Sequence, residues 1–334
     1  MNKTKTSTTQ INNNTKKIIN WSQYSSSLEK RGNFTILLNI TYLNNTIVQT
    51  GKSGHPFEYS DALILFLAQL REFMRLPLRQ TIGFTKFIFT QNKLDIPLPS
   101  YITLSRRLAK LNIPTHLSHI DFTSPIIFLP DSTGLKVSGE GEWKVRKHGA
   151  DKRRKWLKIH LGVDYATRAI VSMETTDAGV DDGATLPVLL DEMPDIYVGT
   201  SNTSLGVTEV IADGAYDDQK LYRLAKERDF NLLVPPPKNA VWHGDIKYGK
   251  LVDETGWETR NSYVRNIWKV GRNEWKDQSG YHKRSLAETA MFRLKKTFGG
   301  NLKSKTRKNQ EAEVRIRVGL LNLFTSYGMP KYET

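Results

Sequence analysis

The chain contains no cysteine, which excludes disulfides and thiolate metal sites and fits an intracellular protein. Long apolar runs are missing as well. The most apolar stretch, Ala62 to Leu70, falls far short of the ~20 residues a membrane span requires. Acidic residues are in short supply: 34 Asp plus Glu face 49 Lys plus Arg, leaving a formal charge of +15 on 334 residues. A surplus of that size, with ordinary apolar content, favours a polyanionic partner such as nucleic acid. The length allows two domains and a sizeable core.

Residues 1–20 are rich in Asn, Thr and Lys, lack any acidic residue and show no apolar period, so they read as a disordered tail. An acid-free basic start also suits an organellar transit peptide, but this one has no arginine and little amphipathic pattern. From residue 21 to about 120 the pattern is helical. Ser60 and Asp61 open a helix through DALILFLAQLREFMR. LPLRQTIGFTKFIF follows, with Gly83 at a possible turn, and Pro99-Ser100 opens SYITLSRRLAKL. Two short helices, a turn and a third helix carrying Arg106 and Arg107 predict a helix-turn-helix-like DNA-binding domain. A small structural bundle with an arginine pair gives the same pattern.

Between Leu111 and Pro125 the helical period stops, which marks a linker. The following stretch predicts a mixed α/β layer over 125–330. Ile126 to Leu129 reads as a short strand ending at Asp131, and two more strands flank a polar turn at Asp164 to Thr167. Gly183 to Glu192 reads as helix, Glu209 to Ala212 as a buried strand ending at Asp213, Asp218 to Glu227 as helix, and Asn231 to Val234 as a last strand stopped by Pro235. Residues 238–280 read as a polar insertion containing Trp242, Trp257, Trp268 and Trp275. Ala312 to Tyr327 reads as a closing helix.

The stretch Tyr281 to Gly300 predicts a helix. At about 100° per residue, Tyr281, Arg284, Glu288 and Lys295 fall within about 60° of one another, with Leu286, Ala287, Ala290, Met291, Leu294 and Phe298 mostly opposite. Phe292 is the exception, lying near the polar stripe. A solvated polar face would look the same. Asp131 and Asp213, each placed after a strand, and Glu288 on a helix are candidates to converge. Three clustered carboxylates repel one another unless divalent cations neutralise them. Hard oxygen ligands with no Cys or His favour Mg²⁺ or Mn²⁺. The basic run Lys144, Arg146, Lys147, Lys152, Arg153, Arg154, Lys155 and Lys158 suits DNA phosphates, or is merely a solvated hairpin.

DSTGLK at Asp131, IADGAYD at Asp213 and YHKRSLAETAMFRLKKTFGG at Glu288 together resemble the catalytic motifs of DDE transposases of bacterial insertion sequences. The resemblance runs from about residue 20 to 329 and includes NWSQYSSSLEKRGNFT, LPLRQTIGF, ITLSRRL and GEWKVRKHGADKRRKWLKIHLGVD. It implies a ribonuclease H-like mixed sheet with flanking helices. Asp131, Asp213 and Glu288 would then be the catalytic metal ligands, with Mg²⁺ as cofactor and Mn²⁺ able to substitute. Tyr281, Arg284, Glu288 and Lys295 match the family's Tyr-Arg-Glu-Lys signature, whose basic members contact phosphates near the transposon end. The resemblance further implies binding to terminal inverted repeats, strand cleavage and strand transfer. The partners implied are DNA and a homo-oligomer in the synaptic complex, with no membrane and no small-molecule substrate. The setting implied is the bacterial cytoplasm at the nucleoid. The competing readings are a DNA-binding regulator or inactive remnant that binds ends without cleaving, and a nuclease that cuts without joining.

Overall fold

A computed structural model of the chain describes residues 17–33, 58–137, 156–196, 205–247, 250–254 and 256–333. Its centre is a mixed sheet. β1 (Ile126–Val137), β2 (Trp156–Asp164) and β3 (Ile170–Asp177) are antiparallel; β4 (Val207–Ile211) and β5 (Asn231–Leu233) extend the other edge in parallel, giving the order β3-β2-β1-β4-β5. The expected strands, the polar turn and the alternation of later elements all appear. β1 is the main difference. It runs on through Asp131 to Val137 because β2 pairs along its whole length, with Asp131 opposite Leu161 and Lys136 opposite Trp156.

Helices cover both faces, so the strands are buried on both sides. α5 (Asp182–Asp191) and α6 (Gln219–Glu227) cover one face, sharing a buried cluster with Phe128, Val171 and Val210. The other face meets α2 (Asp61–Phe73), α4 (Tyr101–Leu108), α9 (Ser285–Phe298) and α10 (Arg307–Ser326). The period-two set Leu157, Ile159, Leu161 and Val163 of β2 faces that second cluster. Gly162 is required between them: a Cβ there would lie 2.0 Å from the Phe128 ring.

The amino-terminal helices form much as their caps predict. Ser60 accepts from Leu63 N at 3.1 Å and Ser100 from Thr103 N at 3.1 Å. α1 (Trp21–Arg31) precedes them. α3 (Leu78–Gln91) passes straight through Gly83 without the expected turn, because the flanking apolar residues keep one helical period across it. These helices do not form a separate core. Leu63, Leu67, Leu104 and Leu108 belong to the same buried cluster as Leu129, Leu161, Val314 and Leu321. The stretch expected as a linker is likewise packed, with Ile113, Leu117 and Phe122 buried.

Residues 1–16 of the expected tail lie outside the described residues. Residues 17–20 pair with the chain end: Ile18 bridges Tyr332, Ile19 N donates to Lys331 O at 2.9 Å, and Asn20 Nδ2 donates to Met329 O at 3.0 Å. The 238–280 stretch holds a hairpin, β6 (Gly244–Lys247) and β7 (Lys250–Asp253), then α7 (Glu258–Val270) and α8 (Arg272–Gln278). Buried Asn261 fixes this region by bonding both backbone groups of His243 and the Asp253 carboxylate. No helix among the described residues is long and apolar enough to cross a membrane.

Four charges are sealed inside the α2–α10 contact. Arg317 donates to Glu72 at 2.8 Å and to Glu313, while Arg71 lies 3.3 Å from Glu72 and 3.5 Å from Glu313. All four side chains are at most 5% exposed. Removing one partner strands a buried charge, at a cost of about 3–5 kcal/mol. Glu313→Ala is therefore expected to lower unfolding free energy by about that amount, measured by urea titration followed by circular dichroism; a loss below about 1 kcal/mol would contradict it.

Candidate active site

β1 and β4 are parallel neighbours, and Phe128 pairs with Val210. Asp131 and Asp213 each lie three residues beyond that pair, on strands about 4.8 Å apart, so the two carboxylates reach one end of the sheet together. Asp131 Oδ1 accepts from Ser132 N at 2.8 Å. Asp213 leaves β4 and caps the turn Gly214–Tyr216, accepting from Ala215 N at 2.9 Å.

The third carboxylate arrives on α9. Tyr281–Arg284 forms a tight 3₁₀ turn after Gly280, which takes a left-handed φ of 71°, and the α-helix proper starts at Ser285. The expected helix is thus shorter by one turn, but its functional face survives. Arg284 donates to Glu288 one turn on, and its Nη1 stands 3.9 Å from Asp131 Oδ2. Ala287, Ala290, Met291, Leu294 and Phe298 are buried, whereas Phe292 is exposed. Lys295 donates to Thr133 Oγ1, two residues along β1 from Asp131 and so on the same strand face.

These groups form one electrostatic unit. Burial pushes the Asp131 carboxyl above its ordinary range, and the nearby Asp213 and Glu288 charges push it further, against the Ser132 N–H and Arg284. Burial opposes the charge on Arg284, yet Tyr281, Glu288, Asp131 and Asp213 together hold its pKa above the usual value. Burial raises the Tyr281 phenol, with Arg284 opposing; its ring also takes Lys276 Nζ at 5.2 Å. Arg284 is thus the cation that the three carboxylates share.

Asp131 and Asp213 offer the hard oxygen donors that suit a divalent cation. Glu288 is turned to Arg284 with a side chain 57% exposed, and among the described residues no three carboxylate or imidazole groups stand in metal-holding geometry. The donor chemistry fits Mg²⁺ or Mn²⁺; Glu288 would join the set by exchanging Arg284 for the ion.

Several expected DNA contacts sit elsewhere. Arg106 is exposed on α4, but Arg107 donates to Tyr59 O at 3.0 Å and to Asp61, fixing the start of α2. Arg146, Lys147, Arg153 and Arg154 lie outside the described residues. Lys158 is held by Asp182 at 2.7 Å and Val180 O at 2.8 Å. His160 is buried between Thr176 and Thr185, a structural placement. The tryptophans divide: Trp275 is core, Trp257 stacks on His243 under Arg260, Trp242 lies beneath Arg265, and Trp268 is exposed beside a cavity of about 210 Å³ lined by Pro236, Pro237 and Arg272.

Two residues beside the site escaped the sequence reading. Thr133 was legible only as the i+2 neighbour of Asp131. Tyr216 is buried with an unpartnered hydroxyl, and its phenol is pushed up by burial and by Asp182, Asp213, Asp131 and Asp181.

A mixed sheet of ribonuclease H-like form, with carboxylates on neighbouring strands and a covering helix and cations among them, defines an enzyme class that works on phosphodiesters. A family model described as Transposase DDE domain matches residues 123–323, more than half of the chain, and a second with the same description matches residues 29–140. The chain belongs to the DDE transposases, whose activity is DNA transposition by strand cleavage and transfer.

The setting of Asp131 disfavours its charged form, first through burial and then through the Asp213 and Glu288 charges. Its raised pKa means that the folded state holds the proton more tightly than the unfolded chain, so this residue's penalty is present above the folded pKa and fades as pH falls through it. In chelated buffer at pH 7, Asp131→Asn is expected to raise the melting temperature, with the gain shrinking toward acid pH. Scanning calorimetry would overturn this by showing a lower melting temperature for the variant.

Proposed function

We propose that the protein binds the terminal inverted repeats of its own insertion sequence, cuts DNA there and joins the freed 3′-hydroxyl to target DNA. The observation that carries this reading is the meeting of Asp131, Asp213 and Glu288 around Arg284, with Lys295 of α9 bonded to Thr133 on the strand face of Asp131. The carboxylates would hold Mg²⁺ or Mn²⁺. When bound, such ions activate a water or 3′-hydroxyl and stabilise the leaving oxygen.

The chain's own part is position and charge. Arg284 offers a planar fork to two phosphate oxygens, and Lys295 a point charge. Held against a scissile phosphate, they stabilise charge that develops on its oxygens. Tyr281 braces Arg284 through its ring face. Arg106 offers an exposed cation for backbone phosphate, and Arg146, Lys147, Arg153 and Arg154 add to the same sequence-blind attraction. The working form is a homo-oligomer that brings two element ends together, at the bacterial nucleoid.

The intact carboxylate set favours this reading over an inactive end-binding remnant. Asp131→Asn, Asp213→Asn and Glu288→Gln are each expected to cut Mg²⁺-dependent cleavage of an end-bearing duplex by more than about a hundredfold, with mobility-shift binding preserved. Normal cleavage by any variant would remove that residue from the site. End binding by the wild type without cleavage would support the remnant, and cut ends with no joined product in a strand-transfer assay would support a simple nuclease.

Arg106→Ala is expected to weaken DNA binding with an unchanged melting temperature, whereas Arg107→Ala should lower the melting temperature, because it frees Asp61 and Tyr59 O. Equal effects of both on binding alone would mean that Arg107 also reaches DNA.

A further inference from the structure

Three arginines remote in sequence gather where, among the described residues, no carboxylate pairs with them. Arg31 ends α1, Arg168 sits in the turn between β2 and β3, and Arg293 lies on α9; all are half-buried. Arg31 donates to Gly328 O at 2.7 Å, Arg168 to Pro330 O at 3.1 Å, and Arg293 to Thr325 Oγ1 at 3.0 Å. They thus converge on the segment that closes the chain. Among the described residues, none of the three forms an ion pair. The Arg31 Nε is buried without a partner. Burial, together with repulsion from Arg31 and Arg168 and against the attraction of Tyr24, lowers the Arg293 pKa to about 10.

The conformation at Arg168 is informative. Its φ is +60°, a left-handed state that glycine or asparagine adopts more easily, yet the turn presents a long cation there. Each guanidinium carries five N–H donors; each gives one hydrogen bond to the closing segment, and Arg31 also meets Tyr24 through a side-chain hydrogen bond and over its ring at 5.7 Å. Three cations with spare forked donors and no counter-charge match phosphate oxygens. The same turn holds Tyr165, whose ring takes Lys283 Nζ at 5.5 Å, and Lys283 belongs to the short turn that carries Tyr281 and Arg284. The cluster therefore borders the candidate active site.

We propose that Arg31, Arg168 and Arg293 form a second phosphate subsite that grips the DNA backbone away from the bond being cut. This rests on the reading of the protein as an enzyme that binds DNA. The test is anisotropy titration of the full chain with a fluorescent 30-base-pair duplex over a range of salt concentrations, in EDTA so that metal plays no part.

Arg31→Gln plus Arg168→Gln is expected to weaken binding by about tenfold or more at 0.1 M salt and to flatten the log–log salt slope by about 0.9 per lost contact. The double variant also loses the bonds to Gly328 O and Pro330 O while shedding like charge, so its binding is read only where circular dichroism shows it folded. Arg31→Lys plus Arg168→Lys should recover part of the slope. If the glutamine variant misfolds, Arg168→Lys and Arg168→Gln are compared alone, and a slope equal to wild type for both would overturn the subsite. An unchanged slope in a folded double variant also overturns it, as does a change confined to oligomeric state in gel filtration, which would assign the cluster to an acidic protein partner. Failure of the wild type to bind any duplex would instead defeat the underlying DNA-binding reading.

Discussion

Much of the molecule depends on the charges buried between α2 and α10. Arg317 does more than pair with Glu72 and Glu313: its Nη1 donates to Gly299 O at 3.3 Å and its Nη2 to Asn301 O at 3.0 Å. Those carbonyls follow α9 directly and lead into β8 (Asn301–Leu302), which pairs with the end of β1. Glu313 in turn accepts from Lys303 N and Ser304 N. One network thus ties an amino-terminal helix, the closing helix, the end of the Glu288 helix and the far end of the Asp131 strand. Buried ions are costly to desolvate, and here every charge has a partner of the opposite sign. The geometry of the carboxylates inherits its rigidity from this knot.

Midway along β1 the balance is reversed. Asp131, Asp213 and Glu288 gather negative charge at the end of the sheet, where Arg284 answers it only in part. The site is therefore electrostatically unsettled in the protein alone, a condition suited to capturing divalent ions and phosphates. Two stretches of one strand differ in purpose: the pairs between α2 and α10 fix the frame near its end, and the unbalanced carboxylates at its middle suit a ligand.

The positive charge shows the same division of labour. Part of the basic surplus is tied up within the fold, since Arg71, Arg107, Lys158 and Arg317 are held by local carboxylates and carbonyls. Other cations, Arg106 and the Arg31–Arg168–Arg293 group, have no such counter-charge among the described residues. A net charge counts both kinds equally, and so it overstates the first group and hides the second.

By itself the sequence determined the order of strands and helices from Ile126 to Leu233, the caps at Ser60 and Ser100, and the polar face of the Glu288 helix. These rest on local propensity and on periods of two and 3.6, which any short window displays. Only tertiary structure decided the rest. β1 continues past Asp131 because β2 pairs with it, and the amino-terminal helices share one core with the sheet instead of forming their own. The 238–280 region folds around Asn261, whose partners are 8 and 18 residues away. Arg107 turns inward because Asp61 lies beside it only in the folded chain. In each case the deciding contact joins residues that no local period connects, and for that reason it became visible only when the chain was folded.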